Sequence, residues 1–446
     1  MGGKPSLSVV GLGKLGACSA SCFAAKGFNV IGVDINRGFV DAINRGSAPV
    51  KEPRLQEMID LSKGRLRATM DFEEAVKGSG ITFLIVPTPS GSDGHFSDKY
   101  LKDALTHLAA AFGKSDKKYH IFVITSTVSP GTTERELVPL IESVSGRKLG
   151  RDFGVSYNPE FIALGSVITD FLNPDMVLIG GSSGQVCDEL EKVYQAVCEN
   201  KPYMAKMSVA SAEVTKISLN SFVTMKISFA NTLANICGQI PGTNIDHITK
   251  ALGADKRVSP HYLKGGLSFG GPCFPRDNRA FAAFAKEHGV EASLATATDR
   301  INQVQTELLA ELIAKQTPNG NRNAVGVLGL AYKPNTPVIE ESPGIKLIER
   351  LLERNLEVIA YDPIATESAR VHFEDRILYA SSARDCFQSA TICVLTTQCG
   401  EFKEIDQSYI AHDPTTIIDC WRLLDGSKFG KGVNYLALGS YKNGKD

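Results

Sequence analysis

A cysteine in a stretch rich in glycine and proline is the most reactive group this chain offers. Cys273 lies in LSFGGPCFPRD, where Gly270, Gly271, Pro272 and Pro275 predict a loop. In a loop a thiolate is accessible, whereas a cysteine in an apolar run behaves as a small hydrophobe. Asp277 follows four residues later, and Glu160 lies in YNPEFIALG after a strand-like run. Lys216 and Asn220 are spaced i,i+4, which puts an ammonium and an amide on one face of a helix. Each has a plainer reading. Cys273 is a spacer in a glycine loop, Lys216 a solvated helix lysine and Asn220 a polar boundary residue. Glu160 is then an acid at a helix N-terminus, favoured by the dipole. Spacing alone does not bring loop, helix and sheet together.

A second constellation lies at the start of the chain. Gly11, Gly13 and Gly16 form G-x-G-x-x-G directly after the apolar run SLSVV and before a helix through Ala25. The first glycine permits a tight turn, the second a close approach of backbone to a pyrophosphate, and the third close packing of helix on strand. With Lys14 and Leu15 in the turn, the helix N-terminus offers unpaired N–H groups to phosphate. Asp34 ends the next strand at about the ~20-residue spacing of a ribose-binding acid. Its carboxylate accepts from both ribose hydroxyls and repels a 2′-phosphate, which predicts NAD; Arg37 nearby leaves room for NADP. The alternative for Asp34 is a turn before Ile35-Asn36. The carboxyl ends of later strands face the same crevice and carry Thr88 in VPTP and Ser126-Thr127 in TSTVSPGTT. Thr127 is placed nearer the nicotinamide, while Ser129 and Thr132 read better as turn or cap residues.

The elements that must position these residues alternate strand and helix. GITFLIVPTP and HIFVITSTVSPG are apolar strands ending in turns, the rhythm of a parallel sheet covered by helices. From Ala210 to about Cys237 no proline or glycine interrupts, and Ile217, Val223, Ile227, Leu233 and Ile236 recur at helical spacing, predicting a long central helix. Helices continue to about Lys315, and QTPNGNRN is a turn-rich break. Strands then return in NAVGVLGLAYK and LEVIAYDP, and ATICVLTTQC and TTIIDCWRLL echo the two earlier runs in order. The reading is α/β: two doubly wound Rossmann-like domains joined by a helical one, with boundaries at 1–207, 208–316 and 317–446. The net charge of -1 over 446 residues does not point to nucleic acid. No run is long enough to span a bilayer. Gly2 and Ser6 fit a myristoylation pattern only formally, since the next residues belong to the first strand. Ten cysteines, mostly in apolar runs, are no disulfide framework, and with no signal-peptide pattern the chain reads as cytoplasmic.

Taken in order, GLGKLG, VPTP, STVSPGTT, YNPEFIALG…NPDMVLIGG, AEVTKISLNSFVTMKISFAN, GADKRVSPHYLKGGLSFGGPCFPRD and GLAYKPNT…ESP resemble the UDP-glucose/GDP-mannose dehydrogenase family across roughly the whole chain. The resemblance implies an NAD-binding Rossmann domain, a central helical dimerisation domain and a C-terminal nucleotide-sugar-binding domain. It implies two successive NAD-dependent oxidations of a sugar primary alcohol to a uronate, serving polysaccharide biosynthesis, with a UDP-sugar the foremost substrate and no metal. Cys273 would then form a thiohemiacetal and a thioester. Lys216 and Asn220 would stabilise the oxyanion, and Asp277, Glu160 and Thr127 would organise water. Phe161, Tyr262, Phe269, Gly270 and Lys333 would contact substrate, together with Glu160, Lys216 and Asn220. Arg257 would reach the sugar across a homodimer.

This chain departs from the family pattern where substrate is gripped. Leu164 stands at the second acid of NPEF-x-x-EG, Pro272 and Arg276 alter the cysteine motif, and Glu340 replaces the arginine before ESP. Trp421 falls within the D-G-R position, with Arg422 one residue later. These changes leave two alternatives open, a two-electron dehydrogenase of another acidic alcohol and a catalytically silent NAD-binding scaffold.

Overall fold

The computed structural model describes residues 4–91, 94–317 and 324–441. Gly2 and most of the QTPNGNRN break lie outside them. The chain divides into two compact units, Met1–Ile217 and Ser218–Asp446.

In the first unit the strands are β1 (Leu7–Val10), β2 (Val30–Val33), β3 (Leu66–Thr69), β4 (Ile81–Leu84), β5 (His120–Ile124), β6 (Phe153–Tyr157), β7 (Met176–Gly181) and β8 (Tyr203–Met207). Their order is β3-β2-β1-β4-β5-β6-β7-β8. Leu7, Val9 and Phe83 point to one apolar core and Val10, Leu84 and Phe122 to another, so both faces of the sheet are covered. That is why the strands read as continuous apolar runs and not as alternations. The sheet is not wholly parallel, as the strand–helix rhythm suggested: β6 and β7 pair antiparallel through Tyr157 and Gly180. β7 and β8 then run parallel to each other.

The second unit repeats the plan. The strands β9 (Val325–Leu328), β10 (Val358–Tyr361), β11 (Leu378–Tyr379), β12 (Ile392–Leu395), β13 (Thr415–Asp419) and β14 (Val433–Ala437) form a parallel sheet ordered β11-β10-β9-β12-β13-β14. β12 and β13, the runs that echo β4 and β5, occupy the equivalent places. The first turn is repeated in its physics. A Cβ on Gly16 would lie 1.7 Å from the Gly11 carbonyl oxygen, and one on Gly344 2.3 Å from that of Gly329. Glycine at both positions lets helix and strand touch.

The predicted central helix spans Val209–Cys237. Its buried side mixes polar residues with apolar ones such as Ala212, Ile217, Ala230 and Ala234, and large apolar side chains are left outside. Glu213, Lys216, Asn220, Thr224, Ser228 and Asn231 are buried, whereas Phe222, Phe229 and Ile236 are 57%, 53% and 48% exposed. Of the apolar positions at helical spacing only Ile217 is fully buried. Hydrophobicity signals the helix correctly but not which side faces inward. Helices Ile245–Ala254, Phe274–Glu287 and Ser293–Gln316 follow.

Candidate active site

In the glycine turn Gly11 has φ 93°, and a Cβ there would lie 2.3 Å from the Ile85 carbonyl oxygen. Gly13 faces open space, so nothing within the protein requires a glycine there. A pyrophosphate lying close against the turn's backbone would. Leu15 caps the Gly16–Ala25 helix without a side-chain hydrogen bond to its first N–H groups, and Lys14 is exposed beside it. Asp34 serves both readings open to it. Its Oδ1 accepts from the Asn36 N–H at 2.7 Å as a turn acid, and its Oδ2 accepts from Leu12 of the glycine turn at 2.6 Å. Arg37 opens the next helix, exposed, behind the Asn36 cap.

The ends of β4, β5 and β6 meet beside this turn. Ser126 donates to the Val86 carbonyl at 2.8 Å and accepts from its N–H at 2.9 Å, tying the VPTP loop with buried Thr88 to the loop of half-buried Thr127. Buried Glu213 accepts from the N–H groups of Gly131 at 2.5 Å and Thr133 at 3.0 Å, which holds the SPGTT turn. Ser126 is expected from the sequence only as a strand-end neighbour of Thr127, and Glu213 is not expected at all. The position of Glu213 three residues before Lys216, hence on the same helix face, is the signal that finds it.

Glu160 is not at a helix N-terminus: it sits in a coil after β6, and the next helix begins at Val167. Lys216 donates to its backbone carbonyl at 2.6 Å and lies 4.5 Å over the Phe161 ring. Lys216 is therefore no solvated lysine. Burial pushes the Glu160 carboxyl up to about 7, against the Lys216 charge and the contact to Tyr194. The Tyr194 hydroxyl donates to Asn158 Oδ1 at 2.5 Å and lies 3.4 Å from Glu160 Oε1. The Asn158 Nδ2 donates to the Leu178 carbonyl, which fixes the amide's orientation.

In the second unit Cys273 is at the end of its loop and not within it: it is the N-cap of the Phe274–Glu287 helix. It is the one exposed cysteine of the ten, eight of which are buried. A helix N-terminus favours negative charge on such a sulfur. Asp277 follows on the first turn, fully buried, its N–H bonded to the Cys273 carbonyl at 2.8 Å. Its carboxylate is held on both sides, by the Asn220 amide at 2.6 Å and by the Arg276 guanidinium at 3.0 Å. Asn220 is thereby a partner of Asp277 and not a boundary residue. Tyr262 and Phe269 both pack on Phe274, with ring centroids 6.0 and 6.4 Å away. The Tyr332 ring lies against Gly271, and Lys333 extends beside it. Arg257 is brought to none of these. Its side chain is 88% exposed and forks onto Asp255.

The departures have structural partners. Leu164 packs on the first unit's core. The Glu340 carbonyl accepts from Gly271, while Glu341 pairs with Arg279 and Lys346. Trp421 donates its indole N–H to the Thr396 carbonyl at 2.8 Å and lies against Gly266. Arg422 is turned inward, bidentate on Asp246, with the Gly265 and Leu438 carbonyls as further acceptors.

A glycine turn braced by an acid at the end of the next strand of a doubly wound sheet, and an exposed cysteine followed by a fixed carboxylate, are the features of a dinucleotide-dependent oxidoreductase. Sequence comparison narrows the class. The NAD binding domain of the UDP-glucose/GDP-mannose dehydrogenase family matches residues 6–198, its central domain residues 210–304 and its UDP binding domain residues 326–426. The chain belongs to the UDP-glucose/GDP-mannose dehydrogenase family. It is similar to a UDP-glucose 6-dehydrogenase of Haloferax volcanii, 37% identical over 97% of this chain and 99% of that one. A GDP-mannose 6-dehydrogenase of Pseudomonas putida is 32% identical over 90% of this chain and 92% of its own. Among solved structures, a UDP-glucose dehydrogenase from Pyrobaculum islandicum superposes with a TM-score of 0.89, at 32% identity and 98% coverage of both chains. NAD is the cofactor and nucleotide-sugar dehydrogenase the enzyme class that this membership carries. Among the described residues no helix is long and apolar enough to cross a membrane, and no cluster of metal-ligating side chains occurs.

Proposed function

We propose that this chain oxidises the primary alcohol of a nucleotide sugar, a UDP-sugar foremost, to the carboxylate in two NAD-dependent steps through a thioester on Cys273. The observation that carries this reading is an exposed cysteine at a helix N-terminus, one turn from a buried carboxylate fixed by Asn220 and Arg276. NAD accepts a hydride at each step. The Cys273 sulfur adds to the aldehyde left by the first, giving a thiohemiacetal. Loss of the second hydride leaves a thioester, which water cleaves to the acid and the free thiol. The covalent route retains the aldehyde and divides its oxidation into easier steps. Lys216 and Asn220 stabilise the oxyanion, and Glu160, Asp277 and Thr127 order and activate the water. Gly11, Gly13, Lys14, Leu15, Gly16, Asp34, Arg37 and Thr88 hold the cofactor. Phe161, Tyr262, Phe269, Gly270 and Lys333 line the sugar nucleotide.

The same reading places the domain boundaries at 1–207, 208–316 and 317–446. It pairs two copies through the exposed Phe222, Phe229 and Ile236 stripe, whose seven-residue spacing suits a helix–helix seam. Arg257, free of the chain's own site residues, then serves the neighbour. Ten free thiols support a reducing, cytoplasmic setting. The test is a panel of UDP-, GDP-, CDP- and dTDP-sugars, following NADH and product mass. A UDP-sugar converted to its acid with two NADH supports the proposal. One NADH and an aldehyde or ketone turns it to the two-electron alternative.

A further inference from the structure

Among the described residues no strand pairs with the segment leading to Cys273, yet its backbone is hydrogen-bonded as if one did. Gly266 donates to Asn231 Oδ1 at 2.8 Å, and Asn231 Nδ2 donates to the Leu267 carbonyl at 2.9 Å. Phe269 donates to Asn302 Oδ1 at 2.7 Å, and Asn302 Nδ2 donates back to the Phe269 carbonyl at 2.9 Å. Gln305 Nε2 donates to the Gly266 carbonyl at 2.8 Å. Asn231, Asn302 and Gln305 are all buried. Each asparagine offers one donor and one acceptor in the geometry of a peptide group, so each replaces one residue of a missing β-strand. They project from two helices, Val209–Cys237 and Ser293–Gln316.

Beyond Phe269 the chain has no slack before Cys273. A Cβ on Gly270 would lie 2.2 Å from the Glu341 carbonyl oxygen. Gly271 takes φ 84° against the Tyr332 ring and donates to the Glu340 carbonyl at 3.0 Å. The helix starting at Phe274 fixes the other side. The position of the sulfur is thus set by the amides that hold residues 266–269.

We infer that Asn302 and Asn231 are positioning residues for Cys273, two side-chain amides that clamp the approach segment and hold the thiol where it must meet the aldehyde. Neither touches the sulfur. The inference rests on the reading of Cys273 as the nucleophile. A small misplacement of a reacting group costs on the order of a hundredfold in rate. Asn302→Ala removes both bonds to Phe269. Asn302→Asp keeps the shape but turns an acceptor toward a carbonyl oxygen.

The experiment measures three things on the full-length protein: turnover per folded molecule, NAD affinity, and the rate at which iodoacetamide alkylates Cys273. In both Asn302 variants kcat should fall by about tenfold to a hundredfold. NAD affinity should stay within about twofold, since the dinucleotide turn shares no bond with the clamp. The alkylation rate should change severalfold. A merely structural asparagine would lower the melting temperature and leave kcat and alkylation per folded molecule unchanged, which overturns the inference. If neither variant folds, hydrogen exchange on the wild type decides. Slow exchange at Gly266 and Phe269, as for strand amides, supports the clamp; exchange as fast as in a surface loop overturns it. Cys273→Ser with full conversion to the acid overturns the nucleophile reading itself, a result the Asn302 variants do not mimic.

Discussion

Desolvation pushes the Glu160 carboxyl up to about 7, so it titrates across neutral pH, with consequences for both stability and rate. The folded chain holds this proton more tightly than the unfolded chain, whose carboxyl titrates near 4.5. Its contribution to stability is fully present below about pH 4.5 and is lost as pH rises through about 7. Glu160→Gln, neutral throughout, should match wild type in denaturant titrations at pH 4 and exceed it by on the order of 3 kcal/mol at pH 8. If the ionised carboxylate activates water, kcat of the wild type should climb with an apparent pKa near 7 and the glutamine variant should lose that limb. A rising limb that survives in Glu160→Gln assigns it to another group. At Asp34 charge decides. With Oδ1 and Oδ2 already oriented by Asn36 and Leu12, the carboxylate would be preset for ribose hydroxyls in the proposed cofactor site. NAD should be preferred to NADP, and Asp34→Asn should raise the KM for NAD by about tenfold to a hundredfold with kcat little changed. Kinetics with both cofactors check this, and a higher kcat/KM for NADP in the wild type would move the 2′-end of the site to Arg37. These residues were readable because motif spacing fixes where Asp34 falls relative to the turn. The partnership of Glu160 with Tyr194 was not, since thirty-four residues and a strand separate them and only folding brings them together.

The long helix shows what an element adds to its residues. Its buried residues mix the polar Glu213, Lys216, Asn220 and Asn231 with the apolar Ala212, Ile217, Ala230 and Ala234, while Phe222, Phe229 and Ile236 are left exposed. Three large side chains about half exposed at seven-residue spacing are costly in water, and in the proposed dimer a matching face would cover them. Phe222→Asp with Phe229→Asp should therefore convert a dimer into monomers by light scattering while leaving NAD binding intact. A wild-type chain that is monomeric and fully active at assay concentration contradicts this. Composition and the absence of glycine and proline made the helix legible from Ala210 to Cys237. Its orientation was not legible, because the periodicity of Ile217, Val223, Ile227, Leu233 and Ile236 records apolar residues without saying whether core or partner covers them. The Phe274–Glu287 helix has a similar lesson. Glycines and prolines announced a loop at Cys273, but the capping position of the cysteine depends on where the first helical turn closes.

At the scale of the molecule the sequence repeat and the two sheets agree: β9, β12 and β13 lie in the order of β1, β4 and β5. The reversed pairing of β6 with β7 left no mark in the sequence, since a strand buried on both faces reads alike in either direction. The altered substrate end was legible as departures at Glu340, Trp421 and Arg422. Their consequence was not, because it lies in contacts: Arg422 is spent on Asp246 and two carbonyls. The central claim concerns the whole reaction, two oxidations passing through one sulfur. Intact-protein mass spectrometry after mixing enzyme, NAD and a UDP-sugar tests it most directly, in wild type, Asp277→Asn and Cys273→Ser. The account predicts two NADH per acid from the wild type and an acyl adduct on Cys273 that accumulates in Asp277→Asn. Cys273→Ser should remain folded, bind NAD, carry no adduct and make no acid. Full conversion to the acid by Cys273→Ser, with two NADH per sugar, would contradict it.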